Sequence, residues 1–362
     1  MTDRRTLPVD LWGDLEVSPG ARKRIRLEAG ESYTGVASRL PLMIWRAREP
    51  GPVLGITAAV HGDEINGTGT IRSIIQDPPF KLKKGALILV PVVNLLGFER
   101  HSRYMPDRRD LNRAFPGSPV GSLTARLAHL VQSEVVGRCD FLIDLHTAAA
   151  RRTNFPNVRG DLSNPAVKRM ADVFGCEVIV DGRGPDGSLR REACKAGCPT
   201  IILEAGEVSK VEPLYQETAL RGIHNILIEL DMTDGESHQA PYQLTIDSTQ
   251  WVRAENGGFL EFHVAPGDTI KKGQPLATNT GLLGKEHAVL CAPEGGIVLG
   301  MTTMPAVSPG DPVLHLGMTA TKQELKDLHK EVSNLDEGSL EEQVREHLAT
   351  NVTVTPIGDD EL

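Results

Sequence analysis

Four short apolar runs, each closed by a polar side chain, constrain this chain more than any other feature. Val53–Val60 stops at His61, Ala86–Val93 at Asn94, Phe141–Leu145 at His146 and Thr200–Leu203 at Glu204. Runs this short, apolar at successive positions and bounded by Gly and Pro, read as strands buried on both faces. Helical spacing falls between and after them, over about Glu64–Ile75, Leu123–Val136 and Leu214–Leu230, and a further strand is expected at Val178–Val180. Strands alternating with helices predict an α/β fold: a mixed, mostly parallel sheet with helices on both faces. Such sheets bind ligands beyond the carboxyl ends of their strands. All four polar residues lie there, and the expectation is that they converge.

The residue types at these ends point to a metal. In His61-Gly62-Asp63-Glu64 an imidazole and a carboxylate are three residues apart, and His146 follows Glu64 by 82 residues from another strand. His-x-x-Glu alone is common on helix surfaces; the strand-end position, the Gly62 turn and the second imidazole single this one out. Two histidines and one carboxylate leave the fourth position of a catalytic zinc open. Non-haem iron oxygenases also use two histidines and a carboxylate, but a further carboxylate at the Glu204 strand end favours hydrolysis. Asp144 lies two residues before His146, on the same side of the strand. It either orients the His146 imidazole or is an ordinary solvent-facing or capping Asp, and both readings stay open.

Six motifs carry a family resemblance. They are Val60-His-Gly-Asp-Glu-Ile-Asn-Gly67, Pro91-Val-Val-Asn94, Arg103, Asp110-Leu-Asn-Arg-Ala-Phe-Pro-Gly117, Ile143-Asp-Leu-His146 and Leu203-Glu-Ala-Gly206. Together they make the chain resemble the succinylglutamate desuccinylase/aspartoacylase family, relatives of the zinc carboxypeptidases, from about Gly51 to Gly317. The resemblance implies a zinc carboxypeptidase-like fold, one zinc held by His61, Glu64 and His146, and Glu204 as general base. It implies that Arg103 polarises the scissile carbonyl and that Asn112 and Arg113 grip a substrate carboxylate. Arg113 is expected to be buried, with only Asp110 near it. Arg190, or its neighbour Arg191, is a looser candidate for contact with the substrate.

The composition changes near residue 235, after the linker-like Met232–His238. The expected domains are a catalytic unit over 1–234, a smaller all-β module of lipoyl-like hairpins over 235–317 beside the active site, and an acidic helical tail over 318–362. From Met318 the tail carries eleven acidic and four basic residues, so the other 317 residues hold only two of the nine net negative charges. A near-neutral body without a basic face argues against nucleic acid. The longest apolar run is far short of the ~18 residues of a membrane span. Met1–Gly13 has no apolar core of a signal peptide, and the five cysteines have no framework spacing; a cytoplasmic setting and free thiols are expected. In the tail, Thr321 with Glu324 and Ser339 with Glu342 read as capping boxes, and Leu325, Leu328, Val332 and Leu335 form a stripe suited to the body or to a dimer contact.

The expected activity is zinc-dependent hydrolysis of the amide bond of an N-acyl amino acid or similar small carboxylate-bearing amide. Two alternatives are a zinc metallocarboxypeptidase acting on short peptides and a catalytically silent binding or scaffold protein. The expected partner is a small molecule, and self-association stays open.

Overall fold

A computed structural model describes residues 7–31, 35, 37–318, 330, 332, 338–349 and 352–356. A thirteen-stranded mixed sheet organises the chain. Its main path runs Ser248–Arg253, Pro312–Met318, Gly296–Thr302, Arg152–Gly160, Thr200–Gly206, Phe141–His146, Glu49–Ala58, Lys84–Val90, Ala37–Arg46, Arg22–Glu31. Among the described residues no helix is long and apolar enough to cross a membrane.

The apolar runs form the centre. Along Glu49–Ala58, Leu54, Ile56 and Ala58 enter one core and Val53 the other. In Lys84–Val90, Leu87 and Leu89 share the first core while Ala86, Ile88 and Val90 share the second. This period of two, apolar on both sides, requires cover on both faces. Helices Asn66–Gln76, Pro165–Phe174 and Pro213–Glu229 supply residues to one core, and Leu123–Leu130 to the other.

The sheet is not mostly parallel. Of its twelve strand pairings, five are parallel and seven antiparallel. Three parallel pairings join Thr200–Gly206, Phe141–His146, Glu49–Ala58 and Lys84–Val90 at the centre, and the other two hold Val178–Asp181 off the main path. Antiparallel strands are added at both ends, by the hairpin Arg22–Glu31/Ala37–Arg46 and by the C-terminal segment. Strand Gly296–Thr302 pairs directly with Arg152–Gly160, so strands within 248–318 extend the same sheet. A four-stranded sheet, Glu286–Cys291, Pro275–Thr280, Gly258–Phe262 and Ala306–Val307, closes a third core beside it.

In the tail, helix Leu340–Ala349 starts at the second capping box: the Glu342 amide donates to Ser339 Oγ (3.3 Å), and the Gly338 amide to Glu342 Oε2 (2.6 Å). The Thr321/Glu324 box and, apart from Val332, the Leu325–Leu335 stripe lie outside the described residues. The five cysteines form no disulfide; helix Leu189–Lys195 ends before Cys198, so Cys194 and Cys198 share no helix face.

Candidate active site

Three parallel, adjacent strands deliver the metal-type residues. Glu49–Ala58 leads to His61, Phe141–His146 ends on His146, and Thr200–Gly206 carries Glu204, whose Cα is the register partner of His146. The chain leaves the first strand through Ala59, whose φ of 51° is unusual for a residue with a side chain. Backbone bonds from Val93 to Ala58 (2.9 Å) and Asn94 to Ala59 (2.8 Å) hold it there. The turn then needs Gly62: a Cβ there would lie 2.1 Å from the Gly97 carbonyl carbon and 2.2 Å from the Phe98 nitrogen. That close approach aims His61 and Glu64 at one point.

Ligand atoms of His61, Glu64 and His146, all buried, lie within 4.8 Å of one another. Glu64 Oε1 is 2.6 Å from His61 Nδ1, and Oε2 is 2.8 Å from His146 Nδ1. Each imidazole has its other nitrogen on a carboxylate: His61 Nε2 is 3.1 Å from Asp110 Oδ1, and His146 Nε2 is 2.7 Å from Asp144 Oδ2. Asp144 is itself fixed by Thr57 Oγ1, which donates to Oδ1 at 2.6 Å. Metal-ligating histidines are commonly oriented by such carboxylates, so the donor set fits a divalent cation.

The electrostatics agree. Burial penalises charge on both imidazoles, yet Glu64 raises the pKa of His61, and Asp144 with Glu64 holds His146 well above the ordinary value. Burial would push Glu64 up, but the His61 and His146 imidazoles outweigh it and lower it. The carboxylates around the two imidazoles therefore favour positive charge at this point.

Arg103 Nη1 donates to Glu64 Oε1 (3.1 Å) and Nη2 to Asp110 Oδ2 (3.2 Å). The arrangement depends on Asn94, which is fully buried and absent from the cavity wall. Its Oδ1 caps Gly97 N at 2.8 Å, and its Nδ2 donates to the Arg103 carbonyl at 3.3 Å. Of the four strand-end residues expected to converge, three do, and Asn94 instead supports the Arg103 loop. Asn112 Oδ1 accepts from Leu189 N (2.9 Å), tying its loop to helix Leu189–Lys195.

Arg113 is exposed, which corrects the expected burial, and Asp110 serves His61 and Arg103 instead. Arg190 has the buried guanidinium: it is 9% exposed, and its Nη1 has no hydrogen-bond partner among the described residues. Burial, then Arg159, depresses its pKa to about 10, which leaves it charged at neutral pH. Arg191 turns away to Asp186 (2.8 Å) and the Gly184 carbonyl (3.1 Å).

Arg103, Asn112, Arg113, Arg190, Glu204 and the three metal-type residues line a cavity of about 280 Å³ together with others not anticipated from sequence, among them Arg152, Asn154, Arg159, Trp251 and His315. Asn154 Nδ2 donates to Glu204 Oε2 at 3.1 Å. Trp251 and His315 come from the C-terminal strands, which therefore wall the cleft.

The family profile for the succinylglutamate desuccinylase/aspartoacylase catalytic domain matches residues 50–230, half of the chain. The chain belongs to this family. It is 26% identical over 330 residues to the N-α-acetyl-L-2,4-diaminobutyric acid deacetylase of Halomonas elongata, covering 86% of this chain and 95% of the relative. The fold matches the product-bound ectoine utilization protein EutE (DoeB) from Ruegeria pomeroyi at a TM-score of 0.74 and 22% identity, covering 87% of this chain and 98% of that one. It also matches a succinylglutamate desuccinylase/aspartoacylase from Rhodobacter sphaeroides at 0.73 and 23%, covering 86% and 100%.

Proposed function

We propose that the protein is a zinc-dependent amidohydrolase that removes the acyl group from an N-acyl amino acid. The observation that carries this is the convergence of His61, Glu64 and His146 within 4.8 Å beside Glu204. The Halomonas relative is named for an N-acetyl amino acid, and the cavity, at about 280 Å³, has room for a molecule of that size.

Zinc held by His61, Glu64 and His146 would supply Lewis acidity toward water and the amide oxygen. Asp110 and Asp144 would keep the two imidazoles oriented. Glu204 takes the proton from the attacking water and passes it to the leaving amine; Asn154 holds one of its oxygens and leaves the other for this work. Arg103 stabilises the negative charge that develops on the carbonyl oxygen. Arg190, with Asn112 and Arg113 at the rim, holds the substrate carboxylate. Water adds to the carbonyl carbon, the C–N bond breaks, and a carboxylic acid and an amine leave. The C-terminal β segment acts as a wall that limits the length of the substrate, which favours small amides over peptides.

The test is Glu204→Gln against a panel of N-acyl amino acids, with released amine and zinc content both measured. The variant should keep its zinc and lose at least ~10²-fold in turnover, the scale of a positioned acid–base group. Near-normal turnover would remove Glu204 from the mechanism.

A further inference from the structure

Two helices beside the site begin with polar side chains that do not cap them. Asn66 opens helix Asn66–Gln76, two residues after Glu64, and Glu212 immediately precedes helix Pro213–Glu229. Polar residues at helix starts commonly serve the helix's own first amides, yet no side-chain cap is made at either start. The two side chains turn to each other instead. Asn66 Nδ2 donates to Glu212 Oε2 at 2.8 Å, and Asn66 Oδ1 accepts from the Glu212 amide at 2.7 Å. Both residues are buried.

The bridge reaches the backbone that flanks Glu204. Asn66 Nδ2 donates to the Ala205 carbonyl at 3.4 Å, and the Glu207 amide donates to Glu212 Oε2 at 3.1 Å. Gly206, between them, has a φ of 74°, and a Cβ there would lie 2.3 Å from Glu212 Oε2. The carboxylate is thus seated against the chain as it leaves the Glu204 strand. Strand register fixes Glu204 relative to His146, whereas Glu64 arrives on a turn outside the sheet. One backbone bond crosses the same gap, from the Ser209 amide to the Asp63 carbonyl at 2.8 Å; the Asn66–Glu212 bridge joins the two arms through side chains. The other oxygen of Glu212 is engaged from the tail: His347 Nε2, in helix Leu340–Ala349, lies 2.7 Å from Oε1. That helix is pinned through Arg345, which donates to Asp268 at 2.5 Å, and through Glu341, which accepts from Tyr242 Oη at 2.7 Å.

We infer that Asn66 and Glu212 are positioning residues that set where Glu204 stands relative to Glu64, and that His347 of the C-terminal helix locks the pair from outside. Their role rests on the deacylase reading, because Glu204 as base is what they place. Misplacing a reacting group by about 1 Å can cost ~10²-fold in rate. The zinc donors and the arginines that hold the substrate do not depend on this bridge. Its loss therefore lowers kcat while KM and zinc content hold.

The experiment measures kcat and KM of the zinc-loaded full-length protein on the N-acyl amino acid it hydrolyses fastest, together with zinc content and hydrogen–deuterium exchange of the peptide containing Glu207. Asn66→Ala should lower kcat by about 10- to 10²-fold at unchanged KM and zinc content. Asn66→Asp sets an oxygen against Glu212 Oε2 and should fall as far. Adding Glu212→Gln returns a donor to the pair and should restore part of the loss, whereas Glu212→Gln alone keeps an acceptor for Asn66 and should lose least of the three. His347 does not line the cavity, so His347→Ala should fold, lose about 2- to 30-fold in kcat and exchange faster at the Glu207 peptide. His347→Gln, which keeps a donor, should recover part. An unchanged kcat per bound zinc in Asn66→Ala or in His347→Ala overturns the role of that residue. A kcat that falls only in step with zinc content overturns both, while the deacylase reading stands. Where Asn66→Ala does not fold, Asn66→Asp with and without Glu212→Gln reads the same bridge, and absence of any recovery overturns it. If the wild type hydrolyses no N-acyl amino acid, the deacylase reading fails and the positioning role with it.

Discussion

Which guanidinium holds the substrate carboxylate is decided by burial, and the prediction is large. Sequence position favours Arg113, next to Asn112 in the Asp110–Gly117 loop. The structure leaves Arg113 exposed, its Nη1 donating to the neighbouring Asn112 carbonyl at 2.6 Å. An exposed pair contributes about 0–1 kcal/mol, so Arg113→Ala should cost no more than about fivefold in kcat/KM. Arg190 is 9% exposed, and its Nη1 has no hydrogen-bond partner among the described residues. Losing one member of a charge pair in such a place costs roughly 2–5 kcal/mol, or about 30- to 5,000-fold. The assay compares kcat/KM for a substrate and its α-carboxamide in the wild type, Arg113→Ala and Arg190→Ala. Arg190→Ala should erase most of the preference for the free acid, and Arg190→Lys should restore only part, because an ammonium cannot reproduce the planar fork. The burial argument is refuted if Arg113→Ala abolishes the preference and Arg190→Ala leaves it.

Zinc should bind at about one per chain, and either His61→Ala or His146→Ala should lose it on dialysis, since each removes one of three protein donors; full retention in both, by metal analysis, would displace the site. Glu177 is 6% exposed, and burial raises its carboxyl to about 7. The folded state therefore binds that proton more tightly than the unfolded chain, and the associated stability, up to about 3 kcal/mol, is full below pH ~4.5 and lost as pH rises through about 7. Urea midpoints at pH 5 and pH 8 should show Glu177→Gln flattening this slope, and an unchanged slope would contradict it. Deleting residues 319–362 should lower the melting temperature while leaving zinc bound, because Leu340, Val344 and Leu348 are buried against the body at roughly 1.5–3 kcal/mol each; unaltered melting would show that the helix contributes nothing there.

The centre of the fold was legible because burial on both faces of a strand leaves a local signature. The runs around Leu54, Leu87 and Ile143 are apolar at successive positions, and no other placement suits them. The strand Arg152–Gly160 carries no such signature. It contains Asn154, Pro156 and Asn157, residues that argue against a strand, yet it is buried between Thr200–Gly206 on one side and Gly296–Thr302 and Val178–Asp181 on the other. Pro156 is tolerated at an irregularity, where the register with Thr200–Gly206 shifts between Glu204 and Gly206. The asparagines are satisfied there across the strand pair: Asn154 donates to Glu204 Oε2 at 3.1 Å, and Asn157 to the Glu204 carbonyl at 3.4 Å. These bonds exist only after the strands have paired, so a window of sequence cannot display them.

The site divides along the same line. His61, Glu64 and His146 stand at the ends of readable strands, so their convergence follows from the α/β pattern. Asn94 stands at such an end too, yet caps Gly97 and supports Arg103; strand-end position nominates a residue without fixing its direction. Arg152, Arg159, Trp251 and His315 meet because Gly296–Thr302 joins the catalytic sheet beside Arg152–Gly160. That junction is close: a Cβ at Gly300 would lie 2.5 Å from Asn154 Oδ1, the amide that holds Glu204 through its other atom. Gly300→Val should therefore displace Asn154, and through it Glu204, without touching a metal donor. Turnover should fall while zinc content holds, and Gly300→Ala should show the smaller effect. Equal zinc loss and activity loss in both variants would mean that the junction supports the whole fold rather than the position of the base.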